Sequence, residues 1–317
     1  MFLRFAMIGT LALTSAVATA QAEPLRVAVS QRGFWDSSFV DMAIEQGFFK
    51  KENLEIQTFY TEGGATTLDA VMSGSVDIAM SNGLLGVVGR YAKGAPLRVI
   101  AAEFTGGSDA FWYARADSGI KSLKDAQGKS IAYSSNGSST NLMVLGLLKL
   151  AGVNAKPTPT GGAPGTFVQV NTKQIDIGWS VPPLALQDVL DNKLVIVARG
   201  SDLPDLANQT VRVNVVMEPV LKAKRDAMRR FMKVYNATIE WAYKDPKGLE
   251  YFARENKIST EVAKKALEFY PQAATQTQQV KGLDQTVRDA IAFKYLGPSA
   301  TPKDLAGLID IVEPGQK

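Results

Sequence analysis

Short apolar runs alternate with amphipathic segments from residue 25 to residue 102. Runs rich in Val, Ile and Leu predict strands, and the segments between them, several closed by glycine, predict helices. The predicted strands are 25–30, 54–60, 76–81 and 97–102, and the predicted helices are 38–47, 65–73 and 84–92. Because the two types alternate over short connections, we expect parallel strands joined by right-handed crossovers.

The same order of segments starts again after residue 117, with a strand that ends in serine, a Gly-Gly-Ala loop and a strand carrying aspartate. The repeated pairs are 27–30 and 131–134, 63–65 and 161–163, and 76–81 and 175–180. Helices at 139–151 and 183–190 and a strand at 194–198 complete the second set. Any two α/β units share some pattern by chance, but a match in both loop and strand favours a duplicated lobe.

From about residue 218 the pattern changes to helices alone. Met228, Phe231, Met232 and Tyr235 begin an apolar stripe at helical spacing, which ends before Pro246. Further predicted helices lie near 249–256, 261–269, 283–295 and 304–310. We expect this helical tail to pack on the first lobe.

The first 22 residues have the pattern of a cleaved signal peptide. Arg4 precedes an apolar stretch over 5–17, and Ala20-Gln21-Ala22 fits the small-residue cleavage site. A retained membrane anchor is the alternative, but the stretch is shorter than the ~20 apolar residues that span a bilayer. We therefore expect residues 1–22 to be removed and the mature chain to be exported to the periplasm without a membrane anchor.

The amino-acid composition excludes several classes of catalytic and metal-binding site. The chain has 317 residues, which suits about two domains. It contains no histidine and no cysteine, which excludes a disulfide framework, a Ser-His-Asp triad and zinc sites built on His or Cys. The formal net charge of +4 comes without a long basic run, which argues against nucleic-acid binding. We expect no metal and no cofactor.

Candidate binding groups follow from the predicted topology, because ligands of open parallel sheets bind beyond the carboxyl ends of the strands. The loops at these ends are rich in Ser, Thr, Asn and Gly just before predicted helices, and the densest run is 134–140. Helix N-termini expose free N–H groups and partial positive charge, which suits a carboxylate, sulfonate or phosphate. Ordinary helix capping is the alternative for each Ser or Thr.

Aromatic and cationic side chains lie at the same ends. Trp35 and Trp179 lie at strand ends in opposite lobes, so lobe closure is expected to bring two indole rings together around an apolar or planar ligand body. This favours an organic acid, sulfonate or aromatic carboxylate over nitrate. Core packing is the alternative for either tryptophan. Arg32, Arg115 and Arg212 are the candidate partners of an anionic ligand, and the sequence does not choose among them.

Four segments resemble periplasmic substrate-binding proteins of ABC transporters, in the nitrate, sulfonate, taurine and thiamine-precursor group. The segments are 43–56, 73–79, 93–97 and 120–129. The resemblance implies a two-lobed α/β fold of the type II periplasmic binding class, in which each lobe is a mostly parallel sheet flanked by helices and the C-terminal helices pack on lobe one. Lobe one is then discontinuous, from 23–114 and 210–317, and lobe two is 115–209. We expect the lobes to connect near 112–117 and 206–214.

The binding positions of that family carry over to nine residues of this chain. These are Gln31, Trp35, Gly64, Thr66, Ser81, Asn82, Ser135, Ser138 and Ser139. The residue pattern adds Trp179 and Arg212. Part of the family resembles an enzyme that builds a pyrimidine from its own histidine, and that activity does not carry over to a chain without histidine. The leading hypothesis is a solute-binding component, expected to be a monomer, that captures a small organic ligand, expected to be an anion, by hinge closure and delivers it to transmembrane permease subunits.

Two other roles stay open. A ligand-dependent partner of a membrane sensor would use the same fold, and the sequence does not separate it from a transport component. A carboxylate-based periplasmic enzyme needs two acids about 5–10 Å apart in a cleft. Glu62, Glu103 and Asp109 are the acids expected near the cleft rim, and no spacing singles out a pair among them.

Overall fold

Two five-stranded sheets form the centres of two lobes in the computed structural model, which describes residues 22–313. Except for Ala22, the predicted signal peptide (1–22) lies outside the described residues. The strands are β1 (Glu23–Ser30), β2 (Leu54–Thr61), β3 (Ile78–Gly83), β4 (Leu97–Thr105), β5 (Phe111–Arg115), β6 (Ser130–Tyr133), β7 (Lys156–Pro159), β8 (Ile177–Ser180), β9 (Leu194–Arg199) and β10 (Thr210–Met217).

Helices cover the faces of both sheets. They are α1 (Phe39–Glu45), α2 (Phe48–Lys51), α3 (Gly64–Met72), α4 (Leu84–Ala92), α5 (Ser139–Ala151), α6 (Ala163–Asn171), α7 (Leu186–Leu190), α8 (Glu218–Lys244), α9 (Pro246–Asn256), α10 (Thr260–Leu267) and α11 (Leu283–Ala292). Short 3-10 helices lie at Asp36–Ser38, Ala116–Ser118, Leu123–Ala126, Gly200–Asp202, Pro204–Leu206, Gln272–Thr275 and Pro302–Leu305.

The two sheets have the same topology. The first has the strand order β2-β1-β3-β10-β4 and the second has β7-β6-β8-β5-β9. In each sheet four strands run in one direction, and the fourth strand in spatial order, β10 or β5, runs against both neighbours. The expected mostly parallel sheets and the expected duplication are therefore confirmed.

The duplication extends to an aspartate that directly precedes the third strand, in spatial order, of each sheet, β3 or β8. Asp77, just before β3, accepts a hydrogen bond from the backbone N–H of Arg26 at 2.9 Å. Asp176, just before β8, accepts from the backbone N–H of Ser130 at 2.9 Å. Each carboxylate thus satisfies a backbone donor of the neighbouring parallel strand, which explains why both strands carry an acid at the same position.

A threonine pair closes each Gly-Gly loop in the same way. The hydroxyl oxygens of Thr61 and Thr67 are 2.6 Å apart, and those of Thr160 and Thr166 are also 2.6 Å apart. Thr67 and Thr166 each have a second hydrogen bond, to the carbonyl oxygen four residues earlier. These bonds hold the starts of α3 and α6 against the preceding strand ends.

The chain crosses from lobe one to lobe two earlier than the sequence pattern predicts. Strand β5 pairs with β8 and β9 in the second sheet, so the predicted boundary after residue 114 and the predicted crossing at 112–117 are wrong. The segments that join the sheets are 106–110 and 200–209, and the second overlaps the predicted 206–214. The cause is that β5 follows β4 with no helix between them, so the alternation of strands and helices does not predict β5 as a separate strand.

The C-terminal helices pack mainly on lobe one, as expected. Helix α8 lies against α1 and β10, and its Phe231 stacks on Phe49 with 5.3 Å between ring centroids. Helix α11 packs on α4, whereas α10 contacts α7 of lobe two. The predicted helix at 304–310 is instead the 3-10 helix Pro302–Leu305. Within residues 22–313, no helix combines the length and apolar character needed to cross a bilayer.

Candidate functional site

The carboxyl ends of the strands in both lobes face each other across a small inner cavity of about 30 Å³. At this size it has room for about one or two water molecules. Lobe one contributes Ser30, Gln31, Phe34, Asp36, Gly64, Ser81, Gly83 and Arg212, and lobe two contributes Ser134, Ser138, Ser139, Thr140, Trp179 and Val181.

A second, outer cavity of about 220 Å³ lies at the mouth of the cleft and shares Gly64 and Gly83 with the inner one. Its rim carries the exposed side chains of Lys93 and Lys294. The two cavities therefore adjoin each other at the starts of α3 and α4.

The floor of the inner cavity is a buried charge cluster. Nη2 of Arg212 donates to Oδ2 of Asp36 at 2.8 Å and to Oδ2 of Asp109 at 2.6 Å. The guanidinium lies over the ring of Phe104 at 4.4 Å from its centroid. Burial lowers the pKa of Arg212, but the charges of Asp109 and Asp36 outweigh it and raise that pKa above its usual value.

Glu103 extends this cluster below the cavity. Its carboxylate accepts from the Ser81 hydroxyl at 2.6 Å and from the Ser81 backbone N–H at 2.5 Å. Burial, followed by the charge of Asp36, raises the pKa of Glu103 to about 7. Burial also raises the pKa of Asp109, against the opposing effect of Arg212. We refer to Asp36, Glu103, Asp109 and Arg212 as the floor cluster.

Most of the predicted site residues come together at the inner cavity. Those that line it are Gln31, Gly64, Ser81, Ser138, Ser139, Trp179 and Arg212. Of the other candidate arginines, Arg32 lies over the ring of Tyr60 at 4.3 Å, and Arg115 pairs with Asp117 at 2.7 Å. Of the three candidate arginines, Arg212 is the one that lines the inner cavity.

The prediction that Trp35 lines the binding site is wrong. Trp35 is fully buried in lobe one, with its ring edge-on to those of Phe39, Tyr243 and Phe252. Its neighbour Phe34 faces the cleft instead and lies edge-on to Trp179, with 6.5 Å between ring centroids. The expected pair of facing indoles is therefore wrong. The 3-10 helix that starts at Asp36 turns the chain so that these two adjacent aromatic residues point to opposite sides.

Three other predicted residues do not line the inner cavity. Thr66 is exposed on α3. Asn82 donates to the Ala79 carbonyl at 2.8 Å and so holds its own strand end. Ser135 lies where the lobes touch, and its hydroxyl accepts from the backbone N–H of Ala65 at 3.4 Å.

The start of α5 uses its hydroxyl groups for capping as well as for lining the cavity. Ser138 Oγ accepts from the backbone N–H of Asn141 at 3.1 Å, which is the ordinary N-cap bond. Thr140 Oγ1 accepts from the backbone N–H of Ser134 at 3.0 Å. Capping and ligand contact are thus not exclusive alternatives here, because these residues also face the inner cavity.

Asp36, like Phe34, is a cavity-lining residue that sequence reasoning missed. It lay inside the candidate loop after β1 but looked like an ordinary acid at a helix start. An available signal was Arg212, a lone arginine in an otherwise apolar strand, which needs a buried counter-charge from another element.

Close backbone contact between the lobes depends on glycine. The Gly86 N–H donates to the Gly137 carbonyl across the cleft at 2.9 Å. A Cβ on Gly83 would lie 2.7 Å from backbone carbon atoms of Ser138 and would also clash with the Gly137 carbonyl. Tyr295 Oη also bonds Asn141 Oδ1 across the cleft at 3.0 Å.

A family model described as NMT1/THI5-like matches residues 36–248, a span that covers the floor cluster and most of both lobes. The chain belongs to the NMT1/THI5-like family. No curated protein matches it. The resemblance stated from the four sequence segments is thereby confirmed at the level of family.

Solved structures related to this NMT1/THI5-like protein share its fold. The alkanesulfonate-binding protein SsuA from Xanthomonas axonopodis pv. citri, bound to MOPS, is 18% identical with a TM-score of 0.75, over 92% of this chain and 99% of that one. The aliphatic sulphonate-binding protein SsuA from Escherichia coli is 19% identical with a TM-score of 0.68, over 88% and 95%. The nitrate-binding protein NrtA from Synechocystis PCC 6803 is 13% identical with a TM-score of 0.71, over 90% and 85%.

At these identities the likeness concerns the fold alone. The NMT1/THI5-like protein therefore has the periplasmic binding protein fold found in ABC-import substrate-binding proteins. The ligands named for those proteins are ligands of those proteins and are not assigned to this chain.

Proposed function

We propose that this protein is the solute-binding component of an ABC importer, which captures a small organic ligand between its lobes and delivers it to permease subunits. The observation that supports this proposal is the inner cavity, because its polar lining comes from equivalent strand ends of both lobes. A site divided in this way is complete only when the lobes are together. It therefore couples ligand binding to closure.

The proposal requires the lobes to part, since a cavity of about 30 Å³ is too small for an organic molecule. The two connecting segments run side by side: Gly106 N–H donates to the Gln209 carbonyl, and Gly200 N–H donates to the Ala110 carbonyl, each at 2.9 Å. Their closest approach is between Gly107 and Gly200, where a Cβ on Gly107 would meet the Gly200 backbone at 2.8 Å. We propose that these segments are the hinge.

An organic ligand suits the cavity better than nitrate does. Phe34 and Trp179 form an aromatic wall, and Trp179 Nε1 is a buried donor with no hydrogen-bond partner within residues 22–313. A ligand with an apolar body and an acceptor atom would contact both features. The starts of α3 and α5 at the same cavity favour a hydrogen-bond acceptor at that end of the ligand.

Binding without turnover is part of the proposal. Glu103 and Asp109, two of the acids considered for an enzyme, do not line the inner cavity and have hydrogen bonds to Ser81 and Arg212. Glu62 is exposed. No pair of these acids is free on the two sides of a bound molecule. Incubation of the bound ligand with the protein should therefore return it unchanged.

The experiment uses residues 23–317 and a panel of small sulfonates, carboxylates, pyrimidines, amines and alcohols. A true ligand at 100 times its Kd should stabilise the fold by ~2.7 kcal/mol, which a thermal-unfolding shift detects. Phe34→Ala should reduce that shift. The matched control is Phe59→Ala, since Phe59 is a half-exposed phenylalanine of β2 outside the cavity. If no compound stabilises the protein, the proposal fails.

Closure and partners need separate measurements. Saturating ligand should reduce the radius of gyration in small-angle scattering, and an unchanged radius with ligand bound would contradict hinge closure. We propose a periplasmic monomer. Co-purification with ABC permease subunits supports the transport role, whereas co-purification with a membrane sensor supports the alternative of a sensor partner.

A further inference from the structure

We infer that the ligand of the inner cavity presents a protonated nitrogen to the floor cluster. This inference rests on the proposed function and names the charge of the group that binds at Asp36 and Arg212. It departs from the anionic ligand expected from the sequence, because three acids surround Arg212 in the floor cluster.

Arg212 is engaged through one terminal nitrogen, Nη2, whereas its Nε is buried with no hydrogen-bond partner among the described residues. Arg212 is the one cationic side chain among the described residues that line the inner cavity, and Asp36 is the one anionic side chain. The two carboxylates of Asp36 and Asp109 share one terminal nitrogen of Arg212, and the face of the guanidinium covers Phe104. An incoming anion would approach a guanidinium whose charge is already offset by two buried carboxylates.

The floor cluster has an excess of acid. Asp36, Glu103 and Asp109 surround a single guanidinium, and Glu103 holds its proton to about pH 7 because of burial and the charge of Asp36. Further negative charge in the cavity would meet the same repulsion that raises the pKa of Glu103. A positive charge would relieve it.

Acceptor sites remain for a donor group. Asp36 uses Oδ2 for Arg212 and Oδ1 for the backbone N–H of Ser37 at 3.1 Å. A carboxylate offers about four lone-pair positions, so two remain on Asp36. An ammonium or amidinium group brings several N–H donors and suits these acceptors.

The aromatic wall fits the same charge. Phe34 and Trp179 meet edge-on at the cavity that Asp36 lines. A cation within about 6 Å of an aromatic centroid is attracted by the ring, and a nearby carboxylate adds to this attraction. Carboxylate and aromatic wall together thus select an organic cation or a neutral molecule that becomes protonated.

The test uses matched triplets of compounds with one carbon skeleton each and an aminomethyl, hydroxymethyl or carboxylate end. We expect thermal stabilisation by members of the amine set, and binding at least about tenfold weaker for the alcohol of the same skeleton. Stabilisation by acids alone would overturn this inference and leave the proposed function standing. Stabilisation by no compound would contradict both.

Two further comparisons locate the contact. For the tightest amine, acetylation of its nitrogen removes the charge and should weaken binding to the wild-type protein by about tenfold or more in calorimetry. Asp36→Asn should weaken binding of the same amine to a similar extent, and Asp36→Glu should restore part of the affinity. Asp284→Asn, which changes an exposed acid of α11, should leave the affinity unchanged. Equal binding of the amine and its acetylated form would overturn the inference even if Asp36→Asn failed to fold.

Discussion

Two adjacent aromatic residues with different surroundings illustrate the residue scale. Trp35 packs among three aromatic rings inside lobe one, while Phe34 faces Trp179 across the cleft. Sequence alone places both in one loop after β1 and gives no reason to choose the smaller ring for the site. The choice depends on the turn at Asp36–Ser38, whose geometry comes from hydrogen bonds such as Phe34 N–H to Ser37 Oγ at 3.1 Å.

Trp35→Ala should therefore damage the fold, and Phe34→Ala should damage ligand binding. Removing a fully buried tryptophan costs about 3–5 kcal/mol of unfolding free energy, through lost packing and a cavity. Urea unfolding measures this loss, and tryptophan fluorescence titration with the identified ligand measures binding. A Trp35→Ala protein as stable as wild type, or a Phe34→Ala protein with unchanged affinity, would contradict the assignment.

The protonation of Glu103 gives a prediction about pH. Its pKa rises from a usual value near 4.5 to about 7 on folding, because burial disfavours the charged form. Between these two values the folded chain holds the proton and the unfolded chain releases it. The free energy of unfolding contributed by this group therefore falls as pH rises from about 4.5 to about 7.

Glu103→Gln should flatten this dependence, because an amide has no proton to lose. The measurement is the unfolding temperature of wild type and variant at several pH values across that window. Glu240→Gln, an exposed residue of α8, is the control and should keep the wild-type slope. An unchanged slope in Glu103→Gln would mean that Glu103 is ionised in the folded protein throughout.

At the element scale, the sequence predicted best where helix and strand follow each other in regular order. The predicted bounds of α4 and α5 agree with the structure residue for residue. Strands β5 and β10 were not predicted, because each enters its sheet against the direction of its neighbours and has no helix before it. Strand β7, an edge strand with two prolines, gave too weak a β signal.

The paired aspartates of the two lobes should differ in their effect on stability. The Asp77 side chain is 6% exposed and also pairs with Lys224 at 3.2 Å, whereas the Asp176 side chain is 41% exposed. Asp77→Ala removes the acceptor of the Arg26 backbone N–H and the ion-pair partner of Lys224 at a poorly hydrated position. It should lower the free energy of unfolding, measured with urea, by about 1–3 kcal/mol. Asp176→Ala is the matched comparison and should cost less. An equal or greater loss for Asp176→Ala would contradict this view.

For the whole molecule, closure brings backbone against backbone at Gly83, Gly86 and Gly137. Gly83→Ala adds a methyl group that overlaps lobe two only while the lobes are together, so the variant should fold but close incompletely. Small-angle scattering with ligand should then give a larger radius than wild type, and affinity should fall. Gly297→Ala, with open space around its added Cβ, is the control. Full closure of Gly83→Ala would contradict the contact.

The position of β10 has a consequence for the order of folding. In the first sheet β10 lies between β3 and β4, yet it comes from residues 210–217, after all of lobe two has been made. The second sheet is complete within residues 111–199. A fragment covering 106–209 should thus unfold cooperatively on its own in circular dichroism, whereas 22–105 should not. The sheet of lobe one therefore lacks the strand between β3 and β4 until lobe two has been synthesised and β10 has followed it.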